Sequence, residues 1–149
     1  MKLIYLDTCC LNRPFDDQTQ AHIHLEAEAV LLIMARCAAQ QWEWLSSDIL
    51  DYEIAQTPDA ERRARVDTLA RYAQRHVTVN DDITERAMAL ETLGEDAFDA
   101  LHIASAEAGQ ADVFLTTDRA LLRRAARIAG ALSIRVVNPL TWLREVLHK

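Results

Sequence analysis

Five short apolar runs, each set off from the next by a helical pattern, decide what this chain can fold into. They are Lys2–Leu6 (KLIYL), Trp42–Leu45 (WEWL), His76–Val79 (HVTV), Asp112–Thr116 (DVFLT) and Ile134–Val137. Each is long enough for a strand and too short for a buried helix. After the first run, Asn12, Pro14, Asp16 and Asp17 predict a turn. From about Gln18 to Ala39, the residues Ile23, Ala27, Val30, Leu31, Met34 and Cys37 recur at helical spacing. Ser46 and Ser47 offer caps for a short helix through Ile54, which Thr57-Pro58 ends. Pro58 is expected in the first turn of a third helix running to about Arg75. Asp81 or Asp82 is expected to cap a helix that stops at Gly94, and the helix Glu95–Ala108 to stop at Gly109. Asp118 is expected to cap a helix to Ile128, and Pro139 to open a last one through Leu147. Strands alternating with helices call for an α/β layer fold with a mostly parallel sheet and helices on both faces. With no linker, repeat or low-complexity segment, residues 1–149 are expected to form a single domain.

Residue usage removes whole classes of chemistry. The only lysines are Lys2 and Lys149, so reactions that need an interior lysine are excluded. Gly94, Gly109 and Gly130 are too far apart to build a phosphate-cradling loop, which excludes P-loop and G-x-G-x-x-G nucleotide domains. No run approaches 18 apolar residues and no basic leader precedes a cleavage site, so the chain is expected neither to span a membrane nor to be secreted. Cys9, Cys10 and Cys37 are odd in number and contain no C-x-x-C pair, which fits reduced thiols in the cytoplasm rather than a zinc site.

Sites in open parallel sheets form at the carboxyl ends of strands. Four acids fall where they can converge there. Asp7 follows the first strand, Glu53 lies on the short helix after the second, Asp99 lies in the first turns of the helix entering the fourth strand, and Asp118 follows that strand. Each has an ordinary reading: a loop acid for Asp7, a helix cap for Asp118, a surface acid beside Asp48 and Asp51 for Glu53. Asp99, with Phe98, Leu101, Ile103 and Ala104 around it, lies on a largely buried helix and needs a partner. Several carboxylates in one place repel, and a hard divalent cation relieves that repulsion. Mg²⁺ or Mn²⁺ held by oxygens can activate water for displacement at phosphorus.

These segments resemble the PIN-domain ribonucleases. LDTCCLNRPFDD is similar to the family's first-strand segment, SSDILDYEI to its second, EDAFDALHIASAEA to its D-A-L-H-I-A helix and ADVFLTTD to its fourth-strand ending. The resemblance spans the chain. It implies a three-layer α/β/α fold with a five-stranded parallel sheet in the order 3-2-1-4-5. It implies a Mg²⁺- or Mn²⁺-dependent endoribonuclease whose metal-binding and catalytic acids are Asp7, Glu53, Asp99 and Asp118. Thr116 matches the hydroxyl supporting the fourth acid, and Thr8 the small hydroxyl residue after the first. Many members are VapC-type toxins of type II toxin–antitoxin pairs, which implies a homodimer and a small antitoxin partner.

Asp96, one turn before Asp99, either joins the site or faces solvent. His102, three residues after Asp99, reads first as a satisfied core histidine and second as a partner of a site acid. His22 and His24 read as surface residues, and Trp42, Trp44 and Trp142 as core or dimer anchors. The net charge of −7 is unusual for an RNA-binding protein, yet Arg119, Arg123 and Arg127 share one helical face beside Asp118 and Arg124. Arg13, in the loop after the first acid, is the best single candidate for contact with a substrate backbone. A phosphatase using an aspartyl nucleophile would need a second acid at position 9 and an interior lysine; Cys9 stands there instead. The remaining alternative is a catalytically silent PIN-like domain that binds RNA or a protein partner.

Overall fold

The computed structural model describes residues 1–148. Its sheet is built from β1 (Leu3–Leu6), β2 (Glu43–Ser47), β3 (Arg75–Val77), β4 (Val113–Leu115) and β5 (Arg135–Val137). All pairings are parallel, in the order β3-β2-β1-β4-β5. The central strands β1 and β4 are buried on both faces and carry apolar side chains at every position, while the edge strands β3 and β5 expose Arg75, His76 and Arg135. In β1 the residues alternate between two cores. Ile4 and Leu6 join Trp44, Val113 and Leu115 on one face, while Leu3 and Tyr5 join Leu45 and Phe114 on the other.

The first face is covered by α1 (Thr8–Asn12), α2 (Ala21–Ala38), α3 (Asp48–Ala55), α4 (Ala60–Ala70) and α8 (Pro139–Leu147). The second is covered by α5 (Asp81–Thr92), α6 (Ala97–Ala108) and α7 (Arg119–Arg127). The result is the expected three-layer α/β/α arrangement. Trp44 is wholly buried, and Trp42 meets Trp142 edge-on with ring centroids 5.1 Å apart, tying β2 to α8. These indoles belong to the core.

Several local expectations are corrected. The turn expected over residues 12–17 is present as a 3-10 turn over Arg13–Phe15, but the short helix α1 precedes it, directly after Asp7. Asp7 caps that helix by accepting from the Thr8 N–H. Pro58 lies outside the third helix, because Asp59 takes the capping position and accepts from the Glu61 and Arg62 N–H groups. That helix stops at Ala70, since Gln74 already donates its backbone N–H to Trp44 to begin the β2–β3 pairing. β3 ends at Val77, and the Val79 N–H goes instead to the Asp48 carboxylate. Asn80, not Asp81 or Asp82, caps α5. α6 begins at Ala97 because Asp96 is the half-in residue and the Glu95 side chain turns into the interior.

Candidate functional site

The carboxyl ends of β1, β2 and β4 lie side by side, so whatever follows each strand is brought to one place. The chain places Asp7 there after β1, Ser47 and then α3 after β2, and Thr116 with Asp118 after β4. α6 crosses the same end with Asp99 in its first turn.

Asp7 is buried and fully engaged. Its Oδ1 accepts from the Thr8 N–H at 2.9 Å, and its Oδ2 accepts from the Thr116 hydroxyl at 2.8 Å. The Cys9 thiol adds a weaker contact to Oδ2 at 3.4 Å. Thr116 in turn accepts from the Asp118 N–H at 3.1 Å, so one hydroxyl links the first strand's acid to the fourth strand's ending.

Glu53 reaches the same region from α3. Its Oε1 accepts from the Thr8 hydroxyl at 2.6 Å and is bonded by His102 Nε2. The fully buried His102 spends its other nitrogen, Nδ1, on the Tyr5 hydroxyl at 2.5 Å, and that hydroxyl also meets Ser47 Oγ at 2.7 Å. Burial by itself would lower the His102 pKa, but its bond to Glu53 and the charges of Asp7 and Asp99 raise it. Burial by itself would raise the Glu53 pKa, but the bonds from His102 and Thr8 bring it below the ordinary carboxylate value. His102 is therefore both a core histidine and the residue that orients Glu53.

Among the described residues, Asp7, Glu53 and His102 offer donor atoms that all lie within 4.8 Å of one another. Asp99 and Asp118 do not join that closest group. Asp99 is held by the Arg124 guanidinium at 2.7 Å, and Arg124 also donates to the buried Glu95 at 3.0 Å. The Asp99 carboxyl is pushed up to about 7, chiefly by burial and then by the charges of Asp7 and Asp96, with Arg124 opposing and Asp118 adding. Asp118 is exposed and caps α7, its Oδ1 accepting from the Ala120 and Leu121 N–H groups at 2.9 and 3.2 Å. Asp96 makes no capping bond and faces solvent. Arg13 is drawn inward: its guanidinium bonds Glu26 at 2.8 Å and Asp16 at 3.1 Å. As the chain stands, Arg13 ties the loop after α1 to α2 rather than presenting a free cation.

His102 fills both of its expected readings, core histidine and partner of a site acid. Tyr5 and the Glu95–Arg124 pair are the contributors that residue patterns did not single out for this site. No local signal marks Arg124, which lies 25 residues from Asp99 in sequence.

Carboxylate oxygens from Asp7 and Glu53, with Asp99 and Asp118 beside them, form a donor set suited to a hard divalent cation. Both nitrogens of His102 are already bonded, so the imidazole supports the carboxylates rather than competing as a soft ligand.

Comparison with known proteins accounts for this arrangement. The PIN domain profile matches residues 4–128. The chain belongs to the PIN domain family. PIN domains are typically nucleases. Among solved structures, the PIN fold here is similar to FitAcB from Neisseria gonorrhoeae, with a TM-score of 0.60 and 15% identity over 91% of this chain and 97% of that one. It is similar also to VapBC2 from Rickettsia felis, solved bound to a DNA fragment from its promoter, with a TM-score of 0.61 and 15% identity over 91% of this chain and 98% of that one. At that identity the likeness is one of fold. No curated protein matches the chain in sequence.

Proposed function

We propose that this PIN domain is a metal-dependent endoribonuclease that hydrolyses RNA phosphodiester bonds, with Asp7, Glu53, Asp99 and Asp118 holding Mg²⁺, or Mn²⁺ in its place. The observation that carries this reading is the grouping of Asp7 and Glu53 donor atoms at the end of β1, with the half-buried Asp99 next to them. A divalent cation bound there would supply positive charge that acidifies water and offsets charge developing at phosphorus. The chain's own residues would do the rest. Thr116 and the Thr8 N–H fix both oxygens of Asp7. His102 and the Thr8 hydroxyl fix Oε1 of Glu53, which leaves Oε2 to serve either as the fourth ligand or as the oxygen that orients the attacking water.

Within that activity, we propose the role of toxin in a type II toxin–antitoxin pair: a cytoplasmic homodimer silenced by a small antitoxin protein. The resemblance of its motifs to VapC-type toxins and the fold it shares with VapBC2 and FitAcB support this role. The three cysteines are free, consistent with a reducing compartment, and among the described residues no helix is long and apolar enough to cross a membrane.

The test is thermal melting with and without Mg²⁺ or Mn²⁺, paired with cleavage of single-stranded RNA. A ligand that binds only the folded form at 100 times its Kd stabilises by about 2.7 kcal/mol, so the wild-type Tm should rise. The Asp7→Asn/Asp99→Asn variant should melt at least as high without metal, gain little from it, and cleave nothing. Chelator should abolish wild-type cleavage. If metal shifts neither protein and no RNA is cut, the chain is a silent PIN domain that binds RNA or a protein.

A further inference from the structure

Beside the carboxylate pocket, two aromatic rings stand in solvent. Tyr52 on α3 is 52% exposed and Phe98 on α6 is 44% exposed, and they stack with centroids 5.9 Å apart at an interplanar angle of 23°. Tyr52 immediately precedes Glu53, and Phe98 immediately precedes Asp99. Phe98 and His102 are four residues apart on α6, one turn apart on one helical face. The seam between α3 and α6 thus starts in the interior at the His102–Glu53 contact and reaches the surface at the Tyr52–Phe98 pair.

We infer that Tyr52 and Phe98 are a stacking platform for a nucleobase of the single-stranded RNA whose phosphodiester lies at the carboxylates. This rests on the ribonuclease reading and adds how that site grips its substrate. The chemistry around the pair selects a neutral π-face. Asp48 and Asp51 share α3 with Tyr52, and Asp96 and Asp99 flank Phe98, so a phosphate is repelled where a base is not. A protein partner is the weaker occupant, because two half-exposed rings offer a small part of the roughly 800 Å² per side that a stable interface buries. Stacking accepts any base, so the platform adds affinity and position without dictating sequence.

The experiment measures Kd for a short single-stranded RNA carrying 2-aminopurine, in Mg²⁺ and an Asp7→Asn background that leaves the RNA intact. Cleavage is measured separately with Asp7 restored. Tyr52→Ala and Phe98→Leu should each weaken binding by about 5- to 150-fold and remove the emission change that stacking causes. Tyr52→Phe and Phe98→Tyr keep a ring and should bind as the parent does, which separates stacking from damage to the fold. Unchanged affinity in Phe98→Leu and Tyr52→Ala, with cleavage intact, overturns the platform and leaves the ribonuclease reading standing. Loss of affinity in the ring-retaining variants overturns it too, as does a change in oligomeric state or antitoxin capture without loss of RNA binding. Absence of RNA binding and cleavage in the unsubstituted chain overturns both.

Discussion

Asp99 carries the clearest consequence at the level of single residues. Its carboxyl is pushed from an ordinary 3.8 up to about 7, chiefly by burial and then by Asp7 and Asp96. A folded-state pKa above the unfolded one means the native protein binds the extra proton, so the associated stability is complete below pH 4 and lost as pH rises through about 7. In chelator, the Tm should therefore fall between about pH 4 and 7. His102, also raised, reinforces the upper part of that fall, while the lowered Glu53 acts only at the acidic end. Asp99→Asn should flatten the slope, and a Tm series in EDTA across that range checks it; an equally steep slope in the variant would remove Asp99 as its source. The residues named from the sequence were those whose types and positions are local signals: an acid after a strand, or an acid on an apolar helix. Their arrangement was less legible. Whether Asp118 turns its carboxylate to the site or to its own helix depends on free N–H groups at Ala120 and Leu121, and Arg124's choice of Asp99 depends on how α7 lies against α6. Neither is written in local spacing.

At the level of elements, the junction of α6 with the sheet is the tightest point that a substitution can probe. A Cβ on Gly109 would come within 2.4 Å of Leu45 Cδ2 and 2.7 Å of Val77 Cγ2, so the helix end sits directly on β2 and β3. Overpacking of this kind costs about 1–3 kcal/mol, more than the ~0.4–1 kcal/mol that Gly→Ala gains by restricting the unfolded chain. Gly109→Ala should lower the urea midpoint with an unchanged slope. Gly130→Ala, with nothing within 4 Å of its Cβ, should leave the midpoint the same or raise it slightly. A Gly109→Ala protein as stable as wild type would show that Leu45 and Val77 can yield. The strands and their order were legible because buried parallel strands need unbroken apolar runs, and the PIN resemblance supplied the order. The ends were less so. Pro58 and Asp59 are both good starters, and the choice fell to Asp59 because its side chain could reach two N–H groups. Thr78 and Val79 have strand-forming types, yet Asp48 draws the chain out of the sheet.

Across the whole molecule, charge decides how an RNA could be held. The chain carries Lys+Arg 16 against Asp+Glu 23, and much of its arginine is spent internally. Arg13 and Arg62 serve Asp16, Arg86 serves Glu107, Arg124 serves Glu95 and Asp99, and Arg135 serves Glu145. On α7, Arg119, Arg123 and Arg127 are exposed, and none makes an ion pair among the described residues. Their four-residue spacing sets them in one row that starts next to Asp118. A row of fixed cations beside a carboxylate pocket can hold the backbone of a strand whose scissile phosphate lies among the acids. Each phosphate neutralised on a single strand contributes about 0.7 to the slope of log K against log salt. Replacing all three arginines by Gln should therefore reduce that slope by about 2 and weaken binding most at low salt, while Tyr52→Ala should weaken it equally at every salt concentration. Titrating a labelled single-stranded RNA over a range of salt separates the two. An unchanged slope in the triple variant would mean that the strand runs elsewhere on this acidic surface.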